Sequence, residues 1–539
     1  MVSTVKKVGA LFAMLAIALV CLAGSATNQA WAADNYSKDV KFEGVASGDT
    51  VNAYKLVSYD NGYNDYSVDS KFREFLKSNS NPYYGQLSSN PTDKELVSFL
   101  SGRSAEEVRN LLNAYQTDWG NYPPNNFASA GGPSASISFE PGYYMVTIST
   151  TAGNARVYNP IALFVKVEGN KSVIYTGNDQ TPSADDSVTI QAKSVAGPQI
   201  EKYVKRANGT LHKTQTVESG ETVTYAIKVT LPDYTGSYVP VMNLHDNATG
   251  LTYKDDTAKV YKANSAGDNY DENQEVTGAI ESISSANDGG VAFKLDYSKL
   301  GNGGTFYVVY EATVDIALTQ NATNKKFEGK NTAYMTYNTS VGGNTAATEK
   351  SSTSVYTYAL RLSKLDQDNA SLTGAKYTFY EGSGKVKFTK EGSYYVVDPS
   401  GSVTEIAADG FEDDNALEIR GIDASKTYQI EESTVPNGYY APAGKYTLAL
   451  GSLKQSGDGN EHTGNIDNGS YLTGDQEDMK LVARQAADGA TYNVQLKNST
   501  TPALPSTGGM GTIVLTIAGV VLMVVAGAFF VIRRRRAQH

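Results

Sequence analysis

The stretch Tyr492-Asn493-Val494-Gln495-Leu496-Lys497-Asn498 alternates between apolar and polar side chains and ends on an amide. Residues two apart in a β-strand share one face, so Tyr492, Val494 and Leu496 point to the same side. Asn498 continues that face although it is polar. The pattern therefore predicts a strand with one buried face and an asparagine where an apolar residue belongs.

Two further stretches of the same region end in the same way. Leu360-Arg361-Leu362-Ser363-Lys364 places a lysine on its apolar face, and Tyr428-Gln429-Ile430-Glu431-Glu432 places a glutamate there. Burying a single amine or carboxylate is costly, and desolvation lowers the pKa of a lysine and raises that of an acid. The sequence therefore predicts that Lys364, Glu432 and Asn498 meet in one apolar core.

Such a cluster has a specific chemistry. A neutral Lys364 amine is a nucleophile, and a protonated Glu432 that donates to the Asn498 carbonyl makes its carbon electrophilic. The predicted product is a Lys–Asn isopeptide, with ammonia lost. The alternative interpretation is three ordinary polar residues at strand ends or edges.

A second set repeats this arrangement earlier in the chain. Lys202, Asp246 and Asn331 each continue the apolar face of a predicted strand. Lysine comes first, the acid lies in the middle and asparagine is near the end, so a second isopeptide is predicted. The alternative role for Asp246 is to cap the turn before Gly250.

The C-terminus carries three signals in order. The motif Leu504-Pro505-Ser506-Thr507-Gly508 precedes an uncharged segment, residues 513–532, and four arginines at 533–536. Twenty apolar residues are long enough to span a bilayer, and the arginines hold that end in the cytoplasm. The preceding chain is therefore expected outside the cell. The alternative is a plain C-terminal membrane anchor.

The N-terminus predicts a cleaved signal peptide over residues 1–32. Lys6 and Lys7 precede an apolar run, and small residues flank a cut after Ala32. Cys21 is the one cysteine, and Val20 before it disfavours a lipoprotein interpretation. The mature protein therefore has no disulfide to stabilise it.

Composition argues for a structural protein. The net charge is −11, which argues against a nucleic-acid partner. The 37 tyrosines and 50 glycines favour β-structure with turns. The four histidines are scattered, and no zinc spacing, phosphate loop or nucleophile elbow is present. We therefore expect no metal, no cofactor and no enzymatic activity beyond the internal bonds.

Short strands at close spacing predict an all-β chain of tandem β-sandwiches in a rod. Two capping boxes, Thr92 with Glu95 and Ser104 with Glu107, predict two short helices in the first domain. The polar composition of residues 262–287 predicts a segment that extends over the surface of its domain. The expected segments are a signal peptide at 1–32, domains at 33–197, 198–358 and 359–500, and a sorting segment at 501–539.

These features resemble known families. The order of motif, apolar segment and basic tail resembles the sorting signal of Gram-positive surface proteins, in which a sortase cysteine attacks the Thr507–Gly508 bond. Residues 198–358 and 359–500 resemble the Cna A-type and B-type immunoglobulin-like domains. The segment Glu432-Ser433-Thr434-Val435-Pro436-Asn437-Gly438-Tyr439 matches the B-type E-x-x-x-P-x-G-Y pattern.

The chain as a whole resembles the backbone subunit of a sortase-assembled pilus. This implies a fimbrial shaft subunit on the wall that supports adhesion. The partners implied are a pilus-specific sortase, a housekeeping sortase with peptidoglycan, copies of the chain and minor pilins. A host ligand is left open.

The same resemblance implies an acceptor lysine at the end of the first domain. In Val188-Thr189-Ile190-Gln191-Ala192-Lys193 the lysine belongs to the solvent face, and it is the expected acceptor. The segment departs from the family's V-x-V-Y-P-K pattern at Gln191 and Ala192. The competing acceptors are Lys166, Lys171, Lys202 and Lys205.

Two other roles share the sorting signal. A single-copy wall-anchored adhesin needs no acceptor lysine. A minor pilin at the tip or base is the second alternative, although a tip adhesin usually carries a metal-dependent domain and the chain has no D-x-S-x-S segment.

Overall fold

The computed structural model of the chain describes residues between Tyr36 and Thr500, with gaps. The described ranges are 36–59, 66–101, 111, 114–115, 124–150, 156–168, 171–176, 187–234, 240–286, 290–301, 303–316, 318, 327–339, 345–407, 416–441, 444–449, 481–485 and 490–500. The signal peptide, Ser104, Glu107, the sorting motif and the residues after it lie outside these ranges. Within them, no helix combines the length and apolarity that a membrane span requires.

The N-terminal part is built mainly from three sheets. Its strands are β1 (Lys38–Glu43), β2 (Thr50–Tyr59), β3 (Tyr66–Val68), β4 (Asn126–Ser129), β5 (Ser134–Phe139), β6 (Gly142–Ser149), β7 (Arg156–Tyr158), β8 (Ile161–Glu168), β9 (Lys171–Thr176), β10 (Ser187–Gln191) and β11 (Ser194–Ala196). They are ordered β10-β1-β5, β11-β7 and β3-β2-β6-β8-β9, and β4 also pairs with β2. The helices are α1 (Ser70–Leu76) and α2 (Asp93–Ser101), with a 3₁₀ turn at Tyr84–Gln86.

The middle part adds twelve strands and the one-turn helix α3 (Tyr297–Leu300). The strands are β12 (Gln199–Lys205), β13 (Leu211–His212), β14 (Thr214–Thr216), β15 (Thr222–Leu231), β16 (Met242–Thr249), β17 (Leu251–Ala263), β18 (Tyr270–Glu275), β19 (Ile280–Ser285), β20 (Val291–Leu295), β21 (Gly304–Val314), β22 (Phe327–Asn338) and β23 (Thr345–Ala347). One sheet runs β13-β12-β15-β21-β17-β18, and a second group runs β19-β20-β16-β22 with β23 on β22.

The C-terminal part forms a sandwich of two sheets. Its strands are β24 (Ser351–Leu365), β25 (Lys376–Glu381), β26 (Gly384–Lys385), β27 (Phe388–Glu391), β28 (Tyr394–Val397), β29 (Ile406–Ala407), β30 (Ala416–Ile422), β31 (Thr427–Thr434), β32 (Tyr446–Ala449), β33 (Leu481–Gln485) and β34 (Thr491–Lys497). One layer runs β24-β30-β28-β27, with β34 pairing β24 and β33, and the other runs β26-β25-β31-β32, with β29 on β25. One core of buried residues joins the layers, including Leu362 and Val494 from the first and Phe379 and Ile430 from the second.

The chain divides into two compact units. The first contains residues 1–213, 222–313 and 330–354, and the second contains 214–221, 314–329 and 355–539. Two short segments from the middle of the chain therefore belong to the C-terminal unit. The three-domain boundaries given above stay a prediction.

The all-β prediction is confirmed, and the local differences have physical reasons. The predicted capping box forms, because the Glu95 backbone N–H donates to the Thr92 hydroxyl at 3.3 Å. Helix α1 was not expected, although Asp69 caps it by accepting from the backbone N–H groups of Lys71 and Phe72. The polar stretch 262–287 includes β18 and β19, whose side chains are mostly exposed.

Candidate functional site

Three predicted residues meet in the core of the second unit. Lys364 Nζ donates to Glu432 Oε2 at 2.7 Å and to Asn498 Oδ1 at 2.6 Å. Asn498 Nδ2 donates to Glu432 Oε1 at 2.9 Å. Each group thus contacts both others, and the lysine and glutamate side chains are only 0% and 2% exposed. The amine lies against the amide that it would attack.

Strand pairing sets one side of this triangle. β24 and β34 are parallel neighbours with Lys364 opposite Leu496, and the Asn498 backbone N–H donates to the Leu365 carbonyl at 3.0 Å. Lys364 and Asn498 therefore come from the first and last strands of one sheet. Glu432 reaches them from β31 in the facing sheet.

The turn after Glu432 explains the spacing of the E-x-x-x-P-x-G-Y segment. The Tyr439 N–H donates to the Pro436 carbonyl at 3.2 Å, and Gly438 has φ of 84°, as a type II turn requires at its third position. The following residue, Tyr440, pairs with Ser499 through backbone hydrogen bonds of 2.9 and 3.3 Å. The turn thus brings the chain back beside the residue that follows Asn498.

Burial changes the protonation equilibrium of this lysine. Desolvation lowers the pKa of the Lys364 amine below its usual range, and the charge of Glu432 opposes part of that shift. Tyr377 and Tyr446 lie near Glu432 and titrate at raised pKa because they are buried. Buried tyrosines therefore lie beside the cluster of Lys364, Glu432 and Asn498.

One contact differs from the sequence-based expectation. Glu432 was expected to hydrogen-bond the Asn498 carbonyl, but it contacts the amide nitrogen instead. The carbonyl oxygen accepts from the Lys364 amine. A charged amine donates and a carboxylate accepts, so this orientation satisfies both ends of the amide. The acid thus contacts both the Lys364 amine and the Asn498 amide nitrogen.

The second predicted set meets in the core of the first unit, with a tyrosine added. Lys202 Nζ donates to Asp246 Oδ2 at 2.5 Å and to the Tyr310 hydroxyl at 2.6 Å. The Tyr310 hydroxyl donates to Asp246 Oδ2. Asn331 Nδ2 donates to Tyr310 at 2.8 Å. Lysine and asparagine are therefore bridged by a residue that the sequence-based reasoning missed.

This cluster lies between two sheets. Lys202 is on β12 and Tyr310 is on β21 in one sheet, while Asp246 and Asn331 are on β16 and β22, which are antiparallel neighbours. Lys202, Asp246 and Asn331 are all 0% exposed. The Oδ1 atom of Asn331 is buried and accepts no hydrogen bond in the described part of the chain.

Charge and aromatic rings surround the Lys202 amine. Desolvation lowers the pKa of Lys202, and the negative charge of Asp246 opposes part of the shift. The amine lies 5.0 Å from the ring centroids of both Tyr225 and Tyr310. Asp246 also accepts from the Tyr253 hydroxyl at 3.0 Å. The carboxylate is therefore held in place by three donors.

Lys193 is exposed between β10 and β11. The backbone is fixed on both sides, since the Ala192 N–H donates to the Glu43 carbonyl at 2.7 Å and the Lys193 carbonyl accepts from the Asn159 N–H at 2.9 Å. Its neighbour Ser194 lines an open cavity of about 1030 Å³. Hydrogen bonds thus hold the backbone on both sides of this exposed lysine.

The competing lysines differ in accessibility. Lys202 is fully buried, and Lys205 forms an ion pair with Glu272 at 2.6 Å. Of Lys166 and Lys171 the structure describes the backbone alone. The sorting motif, residues 504–508, lies outside the described residues.

Comparison with known proteins bears on the C-terminus first. Residues 496–538 match the family model described as the LPXTG cell wall anchor motif. The match spans the predicted sorting motif, apolar segment and arginines. The chain is therefore a cell wall-anchored surface protein, as the sequence predicted.

The chain is also similar to other proteins over most of its length. The chain is 22% identical over 571 residues to the "Trypsin-resistant surface T6 protein" of Streptococcus pyogenes serotype M6, covering 98% of this chain and all of the relative. It is similar to the structure of the T6 backbone pilin of that species, at 17% identity and a TM-score of 0.46, over 88% of this chain and 99% of the other. It is also similar to the structure of the full-length major pilin SpaD of Corynebacterium diphtheriae, at 14% identity and a TM-score of 0.42. That similarity covers 88% of this chain and 100% of the other. The two structures are described as a backbone pilin and a major pilin.

Proposed function

We propose that this chain is the shaft subunit of a covalent pilus. A sortase cleaves the Thr507–Gly508 bond, and the threonyl group passes to Lys193 of the next copy. The observation that carries the proposal is the cell wall anchor match over residues 496–538. It supplies the acyl donor, and the exposed Lys193 supplies an amine.

The positions of donor and acceptor favour a fibre. The donor follows the last described strand, β34, whereas Lys193 lies more than 300 residues earlier in the chain. Joining two different surfaces head to tail makes a heterologous contact, which extends into a filament when the rotation does not close. The partners of this reaction are a pilus-specific sortase, further copies of the chain and minor pilins. A housekeeping sortase joins the base to peptidoglycan.

Accessibility favours Lys193 among the lysines. A bulky acyl-enzyme must reach the amine, and the side chain of Lys193 is exposed. The cavity beside it, lined by Ser194 and also by Arg156, Lys228 and Glu349, leaves room at this surface. Lys202 and Lys364 are buried and cannot serve.

The two buried clusters form internal isopeptides in this proposal. A Lys364 proton passes to Glu432, and the neutral amine attacks the Asn498 side-chain carbonyl carbon. As the new C–N bond forms, the old one breaks and its nitrogen takes a second lysine proton and leaves as ammonia. One hydrogen stays on the new amide, and the first proton stays on Glu432. The 2.7 and 2.9 Å contacts of Glu432 support this route.

Lys202 and Asn331 form the equivalent bond in the first unit, with Asp246 as the acid. Residues 198–358 and 359–500 then correspond to an A-type and a B-type domain. The mature chain has no cysteine, and buried crosslinks take the place of disulfides as staples in an exported protein.

Wall extracts test the shaft role. Cells that make the fibre are expected to release, after wall digestion, a ladder of high-mass species recognised by antibody to this chain. The ladder arises because Thr507 of each copy is joined covalently to the next and survives boiling in detergent. A matched strain without the pilus-specific sortase is the control and should give monomer. A single band from the wild-type strain would contradict the shaft role and favour a single-copy adhesin.

A further inference from the structure

The two clusters differ in how the acid reaches the amide. In the second unit, Glu432 contacts both the attacking and the leaving nitrogen. In the first unit, Asp246 contacts the Lys202 amine. The Asn331 nitrogen instead donates to the hydroxyl of Tyr310. That hydroxyl accepts from the amine at 2.6 Å as well, so it lies between the two nitrogens.

We propose that Tyr310 is a catalytic residue of the first unit, whose hydroxyl relays a proton to the leaving nitrogen as the Lys202–Asn331 bond forms. This inference rests on the isopeptide proposed above. It places a tyrosine hydroxyl at the leaving nitrogen, where the other cluster has the Oε1 atom of Glu432.

The protons balance along the observed contacts. Lys202 begins as an ammonium and passes one proton to Asp246 Oδ2, and its lone pair then attacks the side-chain carbonyl carbon of Asn331. With Asp246 protonated, the Tyr310 hydroxyl turns from Oδ2 toward Nδ2. Its proton goes to Nδ2 while the attacking nitrogen gives a second proton to the Tyr310 oxygen. The carbon–Nδ2 bond breaks and ammonia leaves. The new amide keeps one hydrogen, Asp246 keeps the first proton and Tyr310 is regenerated.

The surroundings keep the hydroxyl protonated and in position. Burial, together with the charge of Asp246, raises the pKa of Tyr310 well above its usual range. The ring is packed against aromatic neighbours, with centroids 5.7 Å from Tyr225, 5.7 Å from Phe293 and 5.8 Å from Tyr253. The hydroxyl donates to Asp246 Oδ2 and accepts from both nitrogens. Once Asp246 has taken the Lys202 proton, a neutral hydroxyl can turn its own proton toward Nδ2.

Tyr225 provides a matched control. Its ring packs on Tyr310 and lies 5.0 Å from the Lys202 amine, as the Tyr310 ring does. Its hydroxyl, however, is buried without a hydrogen-bond partner among the described residues. Tyr225→Phe thus removes a buried hydroxyl from a ring near the same amine. It leaves the contacts of the Tyr310 hydroxyl with Lys202 and Asn331 in place.

The test follows both crosslinks in the full chain, made in its own cells. Pulse-labelled chain is quenched at intervals and digested, and the peptides joined at Lys202–Asn331 and at Lys364–Asn498 are measured by mass. Tyr310→Phe is expected to slow the first bond by about a hundredfold, the low end for a lost proton-transfer group. The second bond should keep the wild-type half-time, and Tyr225→Phe should leave both bonds unchanged.

The outcomes separate the relay from the bond itself. A Tyr310→Phe chain that forms the first bond at the wild-type rate overturns the relay and leaves the isopeptide standing. A wild-type chain without the Lys202–Asn331 peptide overturns both. If the first unit of the Tyr310→Phe chain no longer folds, it loses its protease resistance. In that case Tyr310 is replaced by 3,5-difluorotyrosine, which keeps the hydroxyl and lowers its pKa. An unchanged half-time in that chain overturns the relay, and a changed one supports it.

Discussion

Replacing Lys193 with arginine is expected to abolish the high-mass ladder of wall extracts while monomer remains anchored through Thr507. Arginine keeps the positive charge and nearly the length, but its guanidinium stays protonated and is no nucleophile at neutral pH. The measurement is an immunoblot of wall extracts from cells that assemble the fibre. The expected change is complete loss of species above the monomer.

Lys205→Arg is the matched control for that experiment. Lys205 is also in the first unit, twelve residues further along, but it is paired with Glu272 and lies over the Tyr270 ring. We expect an unchanged ladder for this variant. If Lys193→Arg also leaves the ladder unchanged, the acceptor is another lysine, and Lys166 and Lys171 are the next to test.

Replacing Glu432 with glutamine is expected to prevent the Lys364–Asn498 bond and to destabilise the second unit. The crosslinked residues are 134 apart, and closing a loop of that size stabilises a fold by about 5 kcal/mol in the chain-entropy account of crosslinks. For a domain of this size the loss corresponds to about 10–20 °C in melting temperature. Intact mass shows whether the bond has formed, and calorimetry of the same sample measures the melting temperature.

The neighbouring Glu431→Gln variant controls for charge. Glu431 accepts from the Tyr380 hydroxyl at 2.6 Å and takes no part in the cluster. Replacing Glu431 should lower the free energy of unfolding by about 1 kcal/mol, as for one partly exposed hydrogen bond. The intact mass should still be lower than the sequence mass by the ammonia lost in the Lys364–Asn498 bond. Equal melting temperatures for the Glu432→Gln and wild-type chains would show that the bond has no structural role.

Alternation in the sequence predicted much of the site because it encodes which face of a strand is buried. Lys364 and Asn498 each follow two or more apolar residues at a spacing of two, and Lys202 lies between Ile200 and Val204 at that spacing. All three are buried in the structure. The acids were harder to place, since the sequence does not say which sheet faces which. The position of Glu432 depends on the pairing of β31 with β25, in which it lies opposite Tyr377.

Tyr310 was missed because a tyrosine on an apolar face looks like ordinary core. A signal was present: Phe306, Val308, Tyr310, Ala312 and Val314 alternate along one strand, and all five are buried. That pattern places the hydroxyl in the core. The sequence alone does not show that the hydroxyl lies between the lysine and the asparagine, because that depends on β12 and β22 facing each other.

Partial burial beside carboxylates does not reproduce the environment of Lys202 and Lys364, as Lys426 shows. In the second unit Lys426 pairs with Glu218 at 2.8 Å and Glu381 at 3.2 Å, and Glu218 also accepts from Tyr428. Burial tends to lower the pKa of Lys426, but its bond to Glu218 and the other nearby carboxylates raise it overall. This amine stays charged, whereas the pKa values of Lys202 and Lys364 are lowered. The distinguishing features of those two are full burial and an adjacent asparagine.

The most direct test of the account is the intact mass of the recombinant ectodomain, purified without any sortase. The account predicts a mass lower than the sequence mass by two ammonia molecules, one from Lys202–Asn331 and one from Lys364–Asn498. The mass of the Glu432→Gln ectodomain should be lower than its sequence mass by one ammonia molecule, from Lys202–Asn331. A wild-type ectodomain at its full sequence mass would contradict the central claim that the buried lysine clusters form covalent bonds on folding.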